Sequence, residues 1–371
     1  MLSVIDMKNK VHVLFLAIIT FLGLIGISLV SSLWVGEVTI TNSGMISYIS
    51  PLHVEGRYIK DDLGHIVVLR GVNKHGFEDH PSGHWQRPDG GVDYRNFNST
   101  IVAANLDAMR SWGINFIRCY STVEFWINNT GNHRQIVKDL ATIAAKRGIY
   151  LMYSFWHILP NAGQTALPYP PYCEDNPYIR SETDFVEMWL SIADELKSYP
   201  NVLFELWNEP HGNATAKESW FNVTQQCINV IRSTGARNIV IVQWDYGIWV
   251  NLDYPNGGGE MDWVWQYPLN DSLGNIVYSS HLYRGDIHRT VPTAVSCWEY
   301  DDLKLGLQYC LVDYVLNNLS KPVMFGEIGP NMWQTGEELE RELAFYNNSL
   351  TIFNEWGINY AVFWWWPTGK Y

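Results

Sequence analysis

A chain of 371 residues and 42.7 kDa can bury a large core, and one big α/β domain fits that length as well as two small ones. Charged residues make up only 17% and aromatics 14%, with 18 Trp and 21 Tyr, which speaks against disorder and for many flat apolar surfaces. The formal net charge of −13, with no cluster of Lys and Arg, argues against a nucleic-acid partner.

In chain order, Lys8 and Lys10 precede an almost uncharged run from Val11 to Val35. That run is long enough to cross a bilayer, and the lysines favour a cytoplasmic start. A cleaved signal peptide with processing near Ser31 and Ser32 is the competing reading. The run is long for a signal segment, so the balance leans towards an uncleaved anchor. Residues 1–35 are thus expected to be a membrane anchor or signal segment, 36–53 a linker and 54–371 the exported body. The protein is expected outside the cell, secreted or held on the outer face of the membrane, as a monomer. Sequons at Asn98, Asn128, Asn213, Asn222, Asn270, Asn318 and Asn347 suit a glycosylated surface. The five cysteines have no zinc-ribbon spacing; bridges Cys297–Cys310 and Cys173–Cys227 are expected, with Cys119 free.

Beyond residue 54, short apolar runs alternate with amphipathic stretches. Strands are expected at 66–73, 115–120, 150–157, 202–209, 238–244, 275–283, 322–329 and 358–366. Helices are expected at 100–113, 133–148, 182–199, 218–235, 301–320 and 337–357, several closing on Gly113, Gly148, Gly235 or Gly357. Eight strands with helical crossovers fit a (β/α)₈ barrel, whose functional groups sit at the C-terminal strand ends. An open doubly wound sheet is disfavoured because no Gly-rich phosphate turn follows any strand. The segment before the first strand reads as a hairpin turning at Asp62-Leu63-Gly64 and capping the barrel floor. The eighth helix is not evident before Tyr371, and 245–274 reads as loop.

The strand ends are unusual. They carry Arg118, His157, Asn208-Glu209, His281 with Tyr283, Glu327, and Trp364, Trp365 and Trp366, where a packed sheet would use Val and Ile. Glu209 precedes Pro210 and is expected to be extended. Period-two alternation groups Glu205, Trp207 and Glu209 on one face, and Val323, Phe325 and Glu327 on another. Glu209 and Glu327 then face each other at the open end. One such carboxyl can donate a proton while the other attacks or activates water, provided the surroundings split their pKa values. Arg118 and Tyr283 would keep Glu327 ionised, while burial and nearby negative charge would keep Glu209 protonated.

"FELWNEP", "YSSHLY", "VMFGEIGP", "VVLRGVN", "WGINFIR" and "FWWW", in that setting, resemble the motifs of glycoside hydrolase family 5, the cellulase family. The resemblance runs from Val54 to Trp366. It implies an exported retaining hydrolase that cleaves internal β-1,4-glucosidic bonds of a polysaccharide, with Glu209 as acid/base and Glu327 as nucleophile. Arg118, His157, Asn208, His281, Tyr283 and Trp364 would line the sugar site, and no cofactor or metal is implied. Retention predicts carboxylates ~5–5.5 Å apart. A β-mannanase, β-1,3-glucanase or xyloglucanase would use the same chemistry, and a non-catalytic surface lectin is the remote alternative. Glu205 is expected to pair with Arg118. The loop holding His75, Glu78, Asp79, His80 and His84 offers metal-ligating side chains without a recognised spacing. Trp126, Trp156, Trp207, Trp244 and Trp249 lie near strand ends or in the following loops, and some of them are expected to form sugar subsites, whereas Trp112, Trp189 and Trp220 are expected in the core.

Overall fold

The computed structural model describes residues 49–74, 97–157, 178–210, 214–243, 264, 267–284, 296, 298–310 and 312–363, all within one compact unit, Tyr48–Tyr371. The segment Val11–Val35, the histidine-bearing loop, Trp364 to Trp366, Cys173, Cys297 and most of 245–274 lie outside them, as does the chain end that bears on the eighth helix. Among the described residues no helix is long and apolar enough to cross a membrane.

A two-stranded antiparallel ribbon comes first, β1 (Leu52–Glu55) and β2 (Tyr58–Asp61). Eight parallel strands follow and close into a barrel in chain order: β3 (Arg70–Asn73), β4 (Phe116–Thr122), β5 (Tyr150–His157), β6 (Val202–Glu205), β7 (Val240–Gln243), β8 (Ile276–Leu282), β9 (Val323–Ile328) and β10 (Asn359–Val362). Around them lie α1 (Ser99–Ser111), α2 (Val123–Ile127), α3 (His133–Ala145), α4 (Glu182–Leu196), α5 (Ala214–Ser233), α6 (Tyr300–Tyr309), α7 (Val312–Asn317) and α8 (Gly336–Trp356). This is the expected (β/α)₈ barrel with an N-terminal hairpin. β10 pairs with β3 on one side and β9 on the other, so closure needs only the eight strands.

Local signals set the helix ends. Asn98 caps α1 by accepting from the Thr100 and Ile101 amides, and Ser181 with Asp184 makes a reciprocal capping box on α4. Gly357 ends α8 at φ 71, where a side chain would be strained, and Gly113, Gly148 and Gly235 also have positive φ. The expected helix at 301–320 is divided into α6 and α7.

The hairpin differs from expectation. Its strands turn at Gly56-Arg57, with Gly56 at φ 59, and Asp62-Leu63-Gly64 makes a second turn held by Asp61. Residues 66 and 67 are therefore occupied against the ribbon (Val67 N–H donates to Ile59 O at 2.9 Å), and β3 begins only at Arg70. Leu52 and Ile59 join the barrel interior, packing with Leu69, Phe116, Tyr150, Met152, Leu203, Ile241, Val277, Met324 and Ala361. The ribbon thus plugs the floor. The alternate residues, among them Ile117, Cys119, Leu151, Phe204, Val240, Tyr278 and Phe325, face outward into the layer shared with the helices. Cys227 is a fully buried free thiol in that layer, so the expected bridge to Cys173 is not formed.

Candidate active site

Moving up each strand by two residues turns the barrel interior from apolar to polar: Phe116 gives way to Arg118, Met152 to Ser154, Leu203 to Glu205, Ile241 to Gln243 and Val277 to Ser279. All five of these polar side chains are fully buried. Arg118 is the hub. Its Nε donates to Glu205 Oε2 at 2.7 Å, Nη1 to Glu327 Oε1 at 2.8 Å and to Asn73 Oδ1 at 3.1 Å, and Nη2 to Asn208 Oδ1 at 2.7 Å. Burial alone would lower its pKa, but the charge of Glu205 and its neighbours outweighs that and holds Arg118 protonated.

Two breaks in strand alternation bring the glutamates to this hub. The β6 ladder ends at Glu205, four residues before Glu209. Leu206 still donates to Ile241 O at 3.1 Å and Asn208 to Phe155 O at 3.0 Å, so both neighbours hold the chain after its pleat is lost. Trp207 turns outward, edge-on to Phe185 at 5.9 Å, instead of sharing the inner face with Glu205 and Glu209. Glu209 is not extended: it has φ 49, in the left-handed region, with its N–H on Gln243 Oε1 at 2.9 Å. A non-glycine held there is strained by about 1–3 kcal/mol, which the surrounding structure must sustain.

On β9 the break is a bulge. Ser280 pairs with Phe325 and His281 with Glu327, leaving Gly326 unmatched. Val323 and Phe325 face the helices, with Phe325 stacked on Phe353, so they do not share the face of Glu327. The extra residue turns Glu327 inward. Gly326 faces the axis as well, where an added Cβ would lie 3.3 Å from Arg118 Nε, His281 Nε2 and Ser279 Oγ.

Glu327 accepts from Arg118 and Tyr120 on Oε1, at 2.8 and 2.6 Å, and from Tyr283 on Oε2 at 2.7 Å. Burial by itself would raise its pKa. His281, Arg118 and the two phenols outweigh that and hold it below the usual carboxylate range. Glu209 Oε1 meets His281 Nδ1 at 2.7 Å. Burial pushes the Glu209 pKa up and the Glu327 charge adds to this, against the lowering pull of His281 and Arg118. Oxygens of Glu209 and Glu327 and a nitrogen of His281 all lie within 4.8 Å of one another. Such a trio could in principle hold a cation. The Arg118 guanidinium and the donors crowding Glu327 fit an ionised carboxylate without a metal better.

Arg118, Asn208, Glu209, His281, Tyr283 and Glu327 are therefore together, and Glu205 pairs with Arg118 as expected. His157 ends β5, with its side chain outside the described residues, and Trp364 lies outside them altogether. Asn73, Tyr120 and Gln243 were not singled out from sequence. Tyr120 was legible, two residues beyond Arg118 on the same face; Asn73 and Gln243 carry no signal beyond ending their strands. Trp126 and Trp207, two of the five subsite candidates, are each 1% exposed within the helix layer, while Trp112, expected in the core, is 80% exposed. Trp189 and Trp220 are buried as expected. The indoles of Trp156, Trp244 and Trp249 lie outside the described residues.

A closed (β/α)₈ barrel with two unlike carboxyls over its C-terminal end has the architecture of a barrel enzyme. The cellulase family model (glycosyl hydrolase family 5) matches residues 70–369, and the chain belongs to that family. It is 26% identical over 290 residues to endoglucanase A of Butyrivibrio fibrisolvens, covering 74% of this chain and 54% of that one. It is 28% identical over 238 residues to endoglucanase E-5 of Thermobifida fusca, covering 62% and 42%. The chain thus spans about half the length of these curated relatives. An endocellulase of the archaeon Pyrococcus horikoshii has the same fold, with a TM-score of 0.64 and 22% identity over 87% of this chain and 92% of that one.

Proposed function

We propose that the protein is an exported, retaining endo-β-glucanase of the cellulase type, with Glu327 as nucleophile and Glu209 as acid/base. The observation that carries this reading is the pair itself: oxygens within 4.8 Å, one carboxyl pulled down and the other pushed up. Retaining chemistry uses carboxyls ~5–5.5 Å apart, and inverting chemistry needs ~6.5–9.5 Å to admit water between them. The endoglucanase names of the relatives favour β-glucan as substrate.

In the first step a Glu327 oxygen bonds to the anomeric carbon as the glycosidic C–O bond breaks, and Glu209 gives its proton to the departing oxygen. In the second step Glu209 takes a proton from water, whose oxygen attacks the same carbon and releases Glu327. Two inversions leave the configuration unchanged. Arg118 fixes Asn208 Oδ1, which turns the amide NH₂ towards a sugar hydroxyl. His281 fixes Glu209, Tyr283 fixes Glu327, and His157 and Trp364 complete the sugar site. Residues 1–35 serve as membrane anchor or signal segment and 36–53 as linker.

The test is reducing-sugar release by residues 36–371 from soluble β-1,4-glucan, mannan and β-1,3-glucan, with Glu327→Gln beside the wild type. The expected result is release from β-1,4-glucan with the β-anomer formed first, and a loss of at least ~10³-fold in Glu327→Gln. Release from mannan or β-1,3-glucan alone would keep the chemistry and change the substrate. A folded wild type inactive on all three would favour a carbohydrate-binding role, and activity surviving Glu327→Gln would refute the nucleophile assignment.

A further inference from the structure

Tyr283, which donates to Glu327, directly follows β8, and the chain leaving β9 carries on from Glu327 to Asn331. One buried carboxylate on α8 holds both segments. Glu342 Oε1 accepts from Arg284 Nε at 2.6 Å, and its Oε2 accepts from the Asn331 amide at 3.0 Å. Arg284 Nη2 also donates to Glu338 Oε2 at 2.6 Å, and its guanidinium lies over the Trp298 ring at 5.8 Å. The side chains of Glu342 and Arg284 are 7% and 14% exposed. Removing a carboxylate and a guanidinium from water is costly, and apolar residues of similar size would fill the same space with less penalty. What the ion pair adds is a fixed geometry between two loops.

We propose that Glu342, acting through Arg284, is a positioning residue for the nucleophile: it holds the residue next to Tyr283 and the chain just beyond Glu327 to one helix, and so keeps the Tyr283 phenol on Glu327. The proposal rests on Glu327 as nucleophile. The groups facing Glu327 are Arg118 and Tyr120 from β4, Glu209 from the end of β6, and His281 and Tyr283 from β8. Glu342 touches none of the reacting atoms, so its effect must pass through Tyr283.

A double-mutant cycle of Glu342→Gln with Tyr283→Phe, read as kcat/KM against pH, tests this. Tyr283→Phe removes a hydrogen bond to a charged group and is expected to cost about 10- to 100-fold. It should also move the acidic limb up by about one pH unit. Glu342→Gln is expected to lose about tenfold and move the same limb upward by about half a unit, but to cost at most about twofold once the phenol is gone. Arg284→Lys, which keeps the charge but loses the planar fork, should act like Glu342→Gln and guards against a variant that fails to fold. Independent losses with an unmoved acidic limb would mean a merely structural ion pair and overturn the proposal. A crystal structure of Glu342→Gln reads the contact independently of activity: Tyr283 Oη should be withdrawn from Glu327, and an unchanged 2.7 Å contact would refute the proposal. An inactive wild type would instead count against the hydrolase reading.

Discussion

Glu209 and Glu327 are the same amino acid pulled in opposite directions. Under the proposed mechanism Glu327, held below its ordinary 4.5, must be ionised to attack, so kcat/KM should rise with pH through that depressed value. Under the same proposal Glu209, raised above 4.5, must be protonated to donate, so kcat/KM should fall as pH climbs through its value. The expected profile is a bell with one edge on each side of the ordinary glutamate range. An alkaline edge below that range would sink the assignment. A second titration lies away from the site, where buried His133 meets Ser121 Oγ at 2.8 Å and Tyr153 Oη at 3.1 Å. Burial first, and Arg134 second, push its pKa down to about 3. In the unfolded chain this imidazole binds a proton near 6.5, whereas in the folded one it stays neutral until about 3. Native stability is therefore lost as pH falls through that window, by up to about 1.4 kcal/mol per unit. His133→Gln should flatten the pH dependence of the urea midpoint there; an identical slope would show that His133 does not carry it.

At the scale of elements, capping and alternation were readable, and departures from alternation were not. The α4 box is a local pattern, Ser181 followed by Asp184, and Ser181→Ala should cost about 1 kcal/mol in urea unfolding without touching activity. A change below a tenth of that would mean solvent satisfies the helix end equally well. Phe116, Arg118 and Tyr120 keep parity along β4, so the inward face of that strand follows from spacing. Glu209 and Glu327 were found by residue type and position at strand ends, and both face the axis as expected, but Trp207, Val323 and Phe325 do not share their face. Trp207 turns outward and Gly326 is an extra residue, and both depend on what neighbouring strands offer. The aromatic residues mark the same limit. Trp126 lies in α2 and Trp112 caps the end of α1, yet the first is enclosed by Tyr153 and Arg134 and the second is largely exposed, since burial depends on what packs opposite.

For the whole molecule, the parallel course of the eight barrel strands puts their C-termini on one end, and with them Arg118, Asn208, Glu209, His281, Tyr283 and Glu327. The ribbon plugs the other end, where Val54 N–H bonds Asn275 Oδ1 at 2.9 Å and Tyr150 Oη bonds Ser50 O at 2.8 Å. Six sequon asparagines fall among the described residues, Asn98, Asn128, Asn222, Asn270, Asn318 and Asn347, and all six are exposed. A core-bound asparagine in that set would have argued against glycosylation. Under the proposed export, expression through a glycosylating secretory pathway should yield a mass excess that an N-glycan-cleaving enzyme removes. Secreted protein at its bare polypeptide mass would show that exposure alone does not make these sites acceptors.

By itself the sequence determined the number and order of the strands, the helices between them and the family motifs, because these follow from short-range periodicity, capping and residue type. It also placed the two glutamates at strand ends. Only the tertiary structure decided how they face each other, through a broken pleat after Glu205 and a bulge at Gly326. It likewise recruited Asn73, Tyr120 and Gln243 and clamped two loops with Glu342. Those outcomes depend on hydrogen-bond partners far apart in the chain, 209 residues for Arg118 and Glu327 and 253 for Asn73 and Gly326, and no local pattern encodes a partner that far away.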